Sequence, residues 1–336
     1  MFGGTSVVDV VIIEDFSSCP WPGRSSVVTI GAFDGLHIGH RTIIDRVVDL
    51  ARGGSGEGDP SLAVLITFDR HPASLVRPES APKLLTGHDR KLELLAETAL
   101  DATAVIRFDE VQAAEDPEDF VERVLVRCLR ARTVVVGEDF HFGRGRKGNV
   151  ALLRRLGQVH GFEVEPLPLL AGIDGAASST AIRGAVAAGD VAAANALLAR
   201  PFEVRGVVRR GDQRGRTIGF PTANVDVPEH FCIPAEGVYA AWYVRDLGDG
   251  REVTLPAAVN IGRRPTFYED ASRLSIEAHV IDAEDLDLYG EPARLQFIER
   301  LRGERKFADV DELIEQLRRD VDRARHLLLS APDRTG

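Results

Sequence analysis

Ten consecutive residues, Gly31-Ala32-Phe33-Asp34-Gly35-Leu36-His37-Ile38-Gly39-His40, combine two histidines with three glycines. They follow the apolar run Val27, Val28, Thr29, Ile30 and precede the periodic set Ile43, Ile44, Val47, Val48, Leu50. That order predicts a strand, a tight loop and a helix, with the histidines where loop becomes helix. Glycine lets backbone approach a ligand closely, and the amides that open a helix favour negative charge. Phosphate is therefore the expected guest. Gly31, Phe33, Asp34, Gly35 and Gly39 shape its loop, and His37 and His40 donate to it. Zinc fits less well, because no third ligand is evident nearby.

Six further strings carry polar chemistry. Ser178-Ser179-Thr180-Ala181-Ile182-Arg183 opens a helix with hydroxyl caps, so its amides and Arg183 can face an anion. Arg209 to Arg216 holds four arginines and two glycines, a cationic cradle in which Gly211, Arg214, Gly215 and Arg216 suit phosphates. In Pro221-Thr222-Ala223-Asn224 the Thr222 hydroxyl and the Asn224 carbonyl, two residues apart on an extended strand, can both reach Mg²⁺ carried by a nucleotide. Asp69 in Phe68-Asp69-Arg70-His71-Pro72, with Asp139, Phe140 and Phe142 in Gly137 to Gly143, can meet a substrate phosphate, an adenine or Mg²⁺. The basic run Gly143 to Gly148 is either a triphosphate loop or a solvated turn.

These strings need elements to hold them. Up to about residue 165, apolar runs (27–30, 63–68, 104–108, 133–136, 162–165) alternate with helical stretches (89–100, 117–129, 150–159), the pattern of an α/β domain with a parallel sheet covered on both faces. Ligands in such sheets sit beyond the carboxyl ends of the strands, where the strings above fall. The Ala-rich run 184–199 is helical, and the alternation stops after Arg200-Pro201. A boundary near residue 186 gives two domains, 1–186 and 187–336. The second has β-rich runs at 202–208, 237–244, 253–261, 274–281 and 293–298, then a helix over 309–329. That succession predicts a closed antiparallel barrel with a C-terminal helix packed on it.

The 336 residues suffice for two full cores. A net charge of -11 argues against a nucleic-acid partner. No run approaches a membrane span, so no membrane partner is expected, and a homo-oligomer stays open. Cys19, Cys128 and Cys232 are odd in number and far apart, which suggests neither a disulfide framework nor a zinc ribbon and fits a reducing cytoplasm. The acidic first twenty residues lack the flank of a signal peptide.

The H-x-G-H string with Phe33, Asp34 and Gly35 resembles the nucleotidyltransferase superfamily, and within it the adenylyltransferase half of bacterial riboflavin kinase/FAD synthetases. The F-D-x-H-P, G-x-D-F-x-F-G and S-S-T-x-x-R strings fit that half in order, although Arg70 stands where the family more often has Pro. The second half is similar to riboflavin kinase through P-T-A-N, Gly237-Val238-Tyr239-Ala240, Val259-Asn260-Ile261-Gly262, Arg264-Pro265-Thr266-Phe267, Ile276-Glu277-Ala278-His279 and Leu288-Tyr289-Gly290. The resemblance implies a Rossmann-like nucleotidyltransferase domain followed by a kinase barrel. It further implies ATP and Mg²⁺ for both steps, riboflavin and FMN as substrates, FMN and FAD as products, and Glu277 as the catalytic base. The competing readings are an adenylyltransferase for another phosphorylated small molecule and a flavin-binding protein without turnover.

Overall fold

The computed structural model describes residues 11–14, 16, 21–53, 61–168, 171–172, 175–211, 215, 218–248, 250–263, 274–283 and 286–330. The chain divides into two compact units, Met1–Ser179 and Thr180–Gly336.

The first unit runs β1 (Val11–Ile13), β2 (Ser26–Ile30), α1 (Ile38–Arg52), β3 (Leu62–Phe68), α2 (Pro72–Val76), α3 (His88–Ala96) and β4 (Ala102–Ile106). It continues with α4 (Glu110–Ala114), α5 (Pro117–Phe120) prolonged by the π-helical turns Val121–Cys128, β5 (Ala131–Gly137), the small pair β6 (His141–Phe142) and β7 (Gly148–Asn149), and α6 (Val150–His160). It ends with β8 (Glu163–Leu167) and the pair β9 (Ala171–Gly172) and β10 (Gly175–Ala176). The main sheet has the order β1-β4-β3-β2-β5-β8, with every neighbour parallel. Its outermost strand β8, Glu163-Val164-Glu165-Pro166-Leu167, pairs only with β5.

Alternate strand residues feed opposite cores, as a sheet covered on both faces requires. Val28, Ile30, Val64, Ile66 and Val134 pack with Val124, Leu125 and Leu153 on one side. Val27, Ala63, Leu65 and Val135 pack with Ile44, Val47, Leu94 and Leu95 on the other. From β2 the chain steps outward through β3 to β4, then returns to lay β5 on the other flank of β2. The reversal makes β2 and β5 the switch point of the sheet, where a crevice opens beyond the strand ends. Against the expectation from cysteine spacing, Cys128 is disulfide-bonded, because linear distance does not report proximity in space; Cys232 is buried and in no disulfide.

The second unit contains α7 (Ser179–Ala188), whose first residue belongs to the first unit, and α8 (Val191–Leu198). The run read as one helix is two, because Gly189 turns left-handed (φ +78°) and the Asp190 carboxylate caps α8 by accepting from Ala193 N. The barrel strands are β11 (Phe202–Arg209), β12 (Ala223–Asp226), β13 (Gly237–Asp246), β14 (Glu252–Arg263), β15 (Leu274–Val280) and β16 (Pro292–Arg302). They close in the order β11-β12-β15-β14-β13-β16, antiparallel throughout. Phe202, Tyr239, Tyr243, Leu295 and Phe297 are fully buried. The last helix, α9 (Val310–Leu329), covers Val238, Ala240, Ala258 and Leu301 with Val321, Ala324 and Leu328.

Phe297 meets Tyr239 edge-on at 5.4 Å and Phe202 at 6.5 Å between ring centroids. Truncating a ring so enclosed leaves a cavity the barrel cannot close. Phe297→Ala is expected to destabilise the second unit by about 3–5 kcal/mol in urea unfolding, and a loss under about 1 kcal/mol would show that the barrel interior repacks.

Candidate active sites

The loop from Gly31 to His37 leaves β2 at the switch point. Two buried non-glycine residues in it are left-handed, Phe33 (φ +49°) and Leu36 (φ +37°), together with Gly35 (φ +85°). Such backbone persists only where its surroundings hold it. The Asp34 carboxylate accepts from Leu85 N (3.1 Å) and Thr86 N (3.0 Å), Gly35 N donates to Thr86 Oγ1 (2.8 Å), and Ser179 Oγ donates to Asp34 O (2.8 Å). Read from the sequence as a phosphate-site residue, Asp34 is 5% exposed with its oxygens turned to protein amides.

His37 is buried and caps α1, its Nδ1 accepting from His40 N at 3.4 Å. A neutral ring that accepts at Nδ1 carries its proton on Nε2. The two imidazoles stack at 3.7 Å between centroids, and Phe33 flanks His40 at 5.0 Å. Gly39 is tight on purpose: a Cβ there would lie 3.1 Å from Ala177 O and 3.2 Å from the His37 ring. Gly31 likewise faces the Phe33 ring, 3.1 Å from where its Cβ would be. The histidines, the start of α1 and the approach to Ser178 and Ser179 are thus brought together.

Asp69 stands at the end of β3, the strand beside β2. Burial opposes its charge, but the Phe108 amide (2.8 Å) and the Arg70 guanidinium (3.3 Å) outweigh that and hold the carboxyl below its usual range. Asp139 is exposed after β5. Phe140 and Phe142 stack at 5.4 Å and lean on the core beneath, each half-buried. In the basic run Arg144 pairs with Asp116 at 2.7 Å. Thr180 and Arg183 lie on α7, within the second unit.

The second unit gathers its chemistry on β12, β15 and β14. Asn224 stands opposite Glu277, and Glu277 opposite Asn260, so the three form one row across the sheet. Their neighbours Ala223, Ala278 and Val259 are buried on the other face. Ser275 Oγ donates to Glu277 Oε1 at 3.2 Å. His279 Nδ1 donates to Pro221 O at 2.8 Å, which ties the segment leading to Thr222 against β15. A Cβ on Gly211 would fall 2.4–2.7 Å from the Asn224 side-chain atoms, and one on Gly215 would fall 2.2 Å from Phe220 O and 3.6 Å from Thr222 Oγ1. Only glycine at these two positions lets the backbone come this close to Asn224 and Phe220. Arg214 and Arg216 fall outside the described residues. A cavity of about 470 Å³ opens beside Thr222, walled by Val208, Arg210, Ala278, Val280 and Tyr289, with Arg210 over the Tyr289 ring at 5.3 Å. Asn224 and Glu277 are not part of its lining.

The family models agree with this division of chemistry. FAD synthetase matches residues 20–181 and riboflavin kinase matches 198–328. Curated relatives span both: the bifunctional riboflavin kinase/FMN adenylyltransferase of Escherichia coli K12 is 39% identical over 93% of this chain and 95% of its own length, and that of Bacillus subtilis is 35% identical over 89% and 91%. The chain belongs to the bifunctional riboflavin kinase/FMN adenylyltransferase family. A solved Streptococcus pneumoniae structure described as a macrolide-efflux protein has a TM-score of 0.78 at 28% identity, covering 95% of this chain and 99% of that one. The efflux name is that protein's own; among the described residues here, no helix is long and apolar enough to cross a membrane.

Within the FAD synthetase half, sequence reasoning missed Lys91 and Thr86. Lys91 is 7% exposed, on the face of α3 that also buries Leu94 and Leu95. A lysine three and four residues before two buried leucines was the available signal. Thr86 offered none, since its partner Gly35 lies 51 residues away. In the riboflavin kinase half, Ser275 went unnoticed although it sits two residues before Glu277 and hence on its face.

The close approach at Gly211 is testable. Gly211→Ala must push Asn224 aside, so FMN formation from riboflavin is expected to fall by about tenfold or more while FAD formation from supplied FMN holds. Unchanged FMN formation would show that Asn224 can move without consequence.

Proposed function

We propose that the chain makes FAD from riboflavin in two ATP-dependent steps, one for each half. The barrel, assigned to residues 187–336, transfers the γ-phosphoryl group of ATP to riboflavin; the α/β domain, assigned to residues 1–186, joins the resulting FMN to AMP from a second ATP. The observation that carries this reading is end-to-end similarity to curated bifunctional relatives, with both motif sets in one chain.

In the first step Glu277 takes the proton of the ribityl terminal hydroxyl as its oxygen bonds to the γ-phosphorus and the bond to the β-phosphate oxygen breaks, leaving ADP. Ser275 orients that carboxylate. Gly211, Arg214, Gly215 and Arg216 cover the phosphates. Thr222 and Asn224 would hold Mg²⁺, a role that suits two neutral oxygens approached closely by Gly211 and Gly215, since this ion retains water and takes most other ligands from phosphate. When bound, Mg²⁺ neutralises charge on the transferring phosphate.

In the second step the FMN phosphate is already an anion and needs no strong base. Its oxygen bonds to the α-phosphorus of ATP while the bond to the β-phosphate oxygen breaks and pyrophosphate departs. His37 and His40 donate to the charge that grows at the α-phosphate. Gly31, Phe33, Gly35 and Gly39 shape the backbone around it, and Asp34 positions that backbone. Arg183 and the Ser178-Ser179-Thr180 turn take the pyrophosphate on the strength of their donors. Asp69, Asp139, Phe140 and Phe142 are assigned to the flavin side. An enzyme that works without nucleic acid accords with the net charge of -11.

Separated flavins after incubation with ATP, Mg²⁺ and either riboflavin or supplied FMN test the split, FMN formation being read from riboflavin and FAD formation from FMN. His40→Ala is expected to slow FAD formation about 100-fold and spare FMN formation, and Glu277→Gln to do the reverse. Loss of both activities in either folded variant would refute independent sites. Chelation of Mg²⁺ is expected to stop both steps, and persistence of FMN formation would remove the ion from the Thr222 and Asn224 reading.

A further inference from the structure

We infer that Lys91 is a positioning residue for adenylyl transfer, its ammonium fixing the loop that carries His37 and His40 against the loop that begins at Asp69. The inference rests on the reading of that histidine loop as the adenylyl-transfer site.

An ammonium has three protons to give. Lys91 Nζ donates to Phe68 O at 2.8 Å, to Thr67 Oγ1 at 3.0 Å and to Ala32 O at 3.4 Å. The Thr67 hydroxyl, itself fully buried, passes its own proton on to Ala32 O at 3.2 Å. One cation therefore joins the ends of two adjacent parallel strands, β2 and β3, at the moment each becomes a site loop. Ala32 directly precedes the left-handed Phe33, whose ring flanks His40. Phe68 directly precedes Asp69. Displacing either carbonyl shifts the group that follows it in the chain.

Burial lowers the Lys91 ammonium to about 8, against the pull of Asp34 and Asp69, which sustain it. Both carboxylates belong to the two loops that Lys91 joins. The cost of keeping a cation at this depth is matched by what it holds in place.

The experiment uses the full chain. Lys91→Met keeps an unbranched side chain and removes the charge. With FMN and ATP supplied, kcat for FAD formation is expected to fall about 10- to 100-fold while KM for ATP changes less than about threefold, since misplacement acts on the transition state more than on binding. Riboflavin phosphorylation by the same polypeptide is the internal control. An unchanged kcat, or a rise in KM alone, overturns the inference. Should Lys91→Met lose the thermal transition of the first unit, Thr67→Val decides instead: it removes the relay hydroxyl and keeps the shape, so a fall in kcat of about threefold supports the inference and no change overturns it. His40→Ala run in parallel separates the two claims. If His40→Ala leaves FAD formation intact, the site reading fails and the inference with it; if only the Lys91 and Thr67 variants are silent, the inference alone fails.

Discussion

The Asp34 carboxylate, accepting from the Leu85 and Thr86 amides, is the contact on which the first unit's site depends. Between β2 and α1 the backbone makes an unfavourable passage, with Phe33 and Leu36 both left-handed and each costing about 1–3 kcal/mol in isolation. Asp34 sits between them and anchors the passage to a segment some fifty residues further along. Gly35 and Ser179 add bonds from either side. The reward is that His37 arrives as the cap of α1 with its ring stacked on His40, a geometry that a relaxed loop has no reason to adopt. The strain here is offset by hydrogen bonds to backbone and to Asp34.

The second unit meets its constraint differently. Nothing in the row Asn224, Glu277, Asn260 depends on strain; it depends on register. The pleat sends Ala223, Val225, Ile276 and Ala278 into the interior and leaves their neighbours on the opposite face, so burying the apolar set also aligns the polar one. A slip of one residue in β12 or β15 would bury Asn224 and Glu277 and expose the alanines. The packing that stabilises the barrel and the alignment that serves its chemistry are the same event.

Much of this was legible in the chain. Strand and helix alternation, the barrel with its last helix, and the places of His37, His40, Asn224 and Glu277 follow from periodicity and motif order, because each is a local pattern. What escaped is long-range or atomic. β1 is three residues long, too short for any periodicity to register. The break at Gly189 was masked by a run of helix-forming alanines on both sides. Asp34 looked like part of a phosphate loop until its partners near Leu85 were visible, and Phe140 and Phe142 proved to share their surface with the core as well as with the loop. Lys91 was hidden because apolar periodicity records which positions are buried, not which charges are buried with them.

The edges of the first unit's sheet bear on how the chain behaves in a crowded solution. A closed barrel has no edge, but an open parallel sheet has two, and each offers unpaired backbone groups to any other strand it meets. Among the described residues one edge, β1, is three residues long, and the other, β8, reads Glu-Val-Glu-Pro-Leu. Pro166 has no N–H to offer, and Glu163 and Glu165 bring negative charge to the same short strand, with Glu165 already held by Arg46 at 2.7 Å. The sheet that opens a crevice at its switch point thus guards its β8 edge against intruding strands with a proline and two charges.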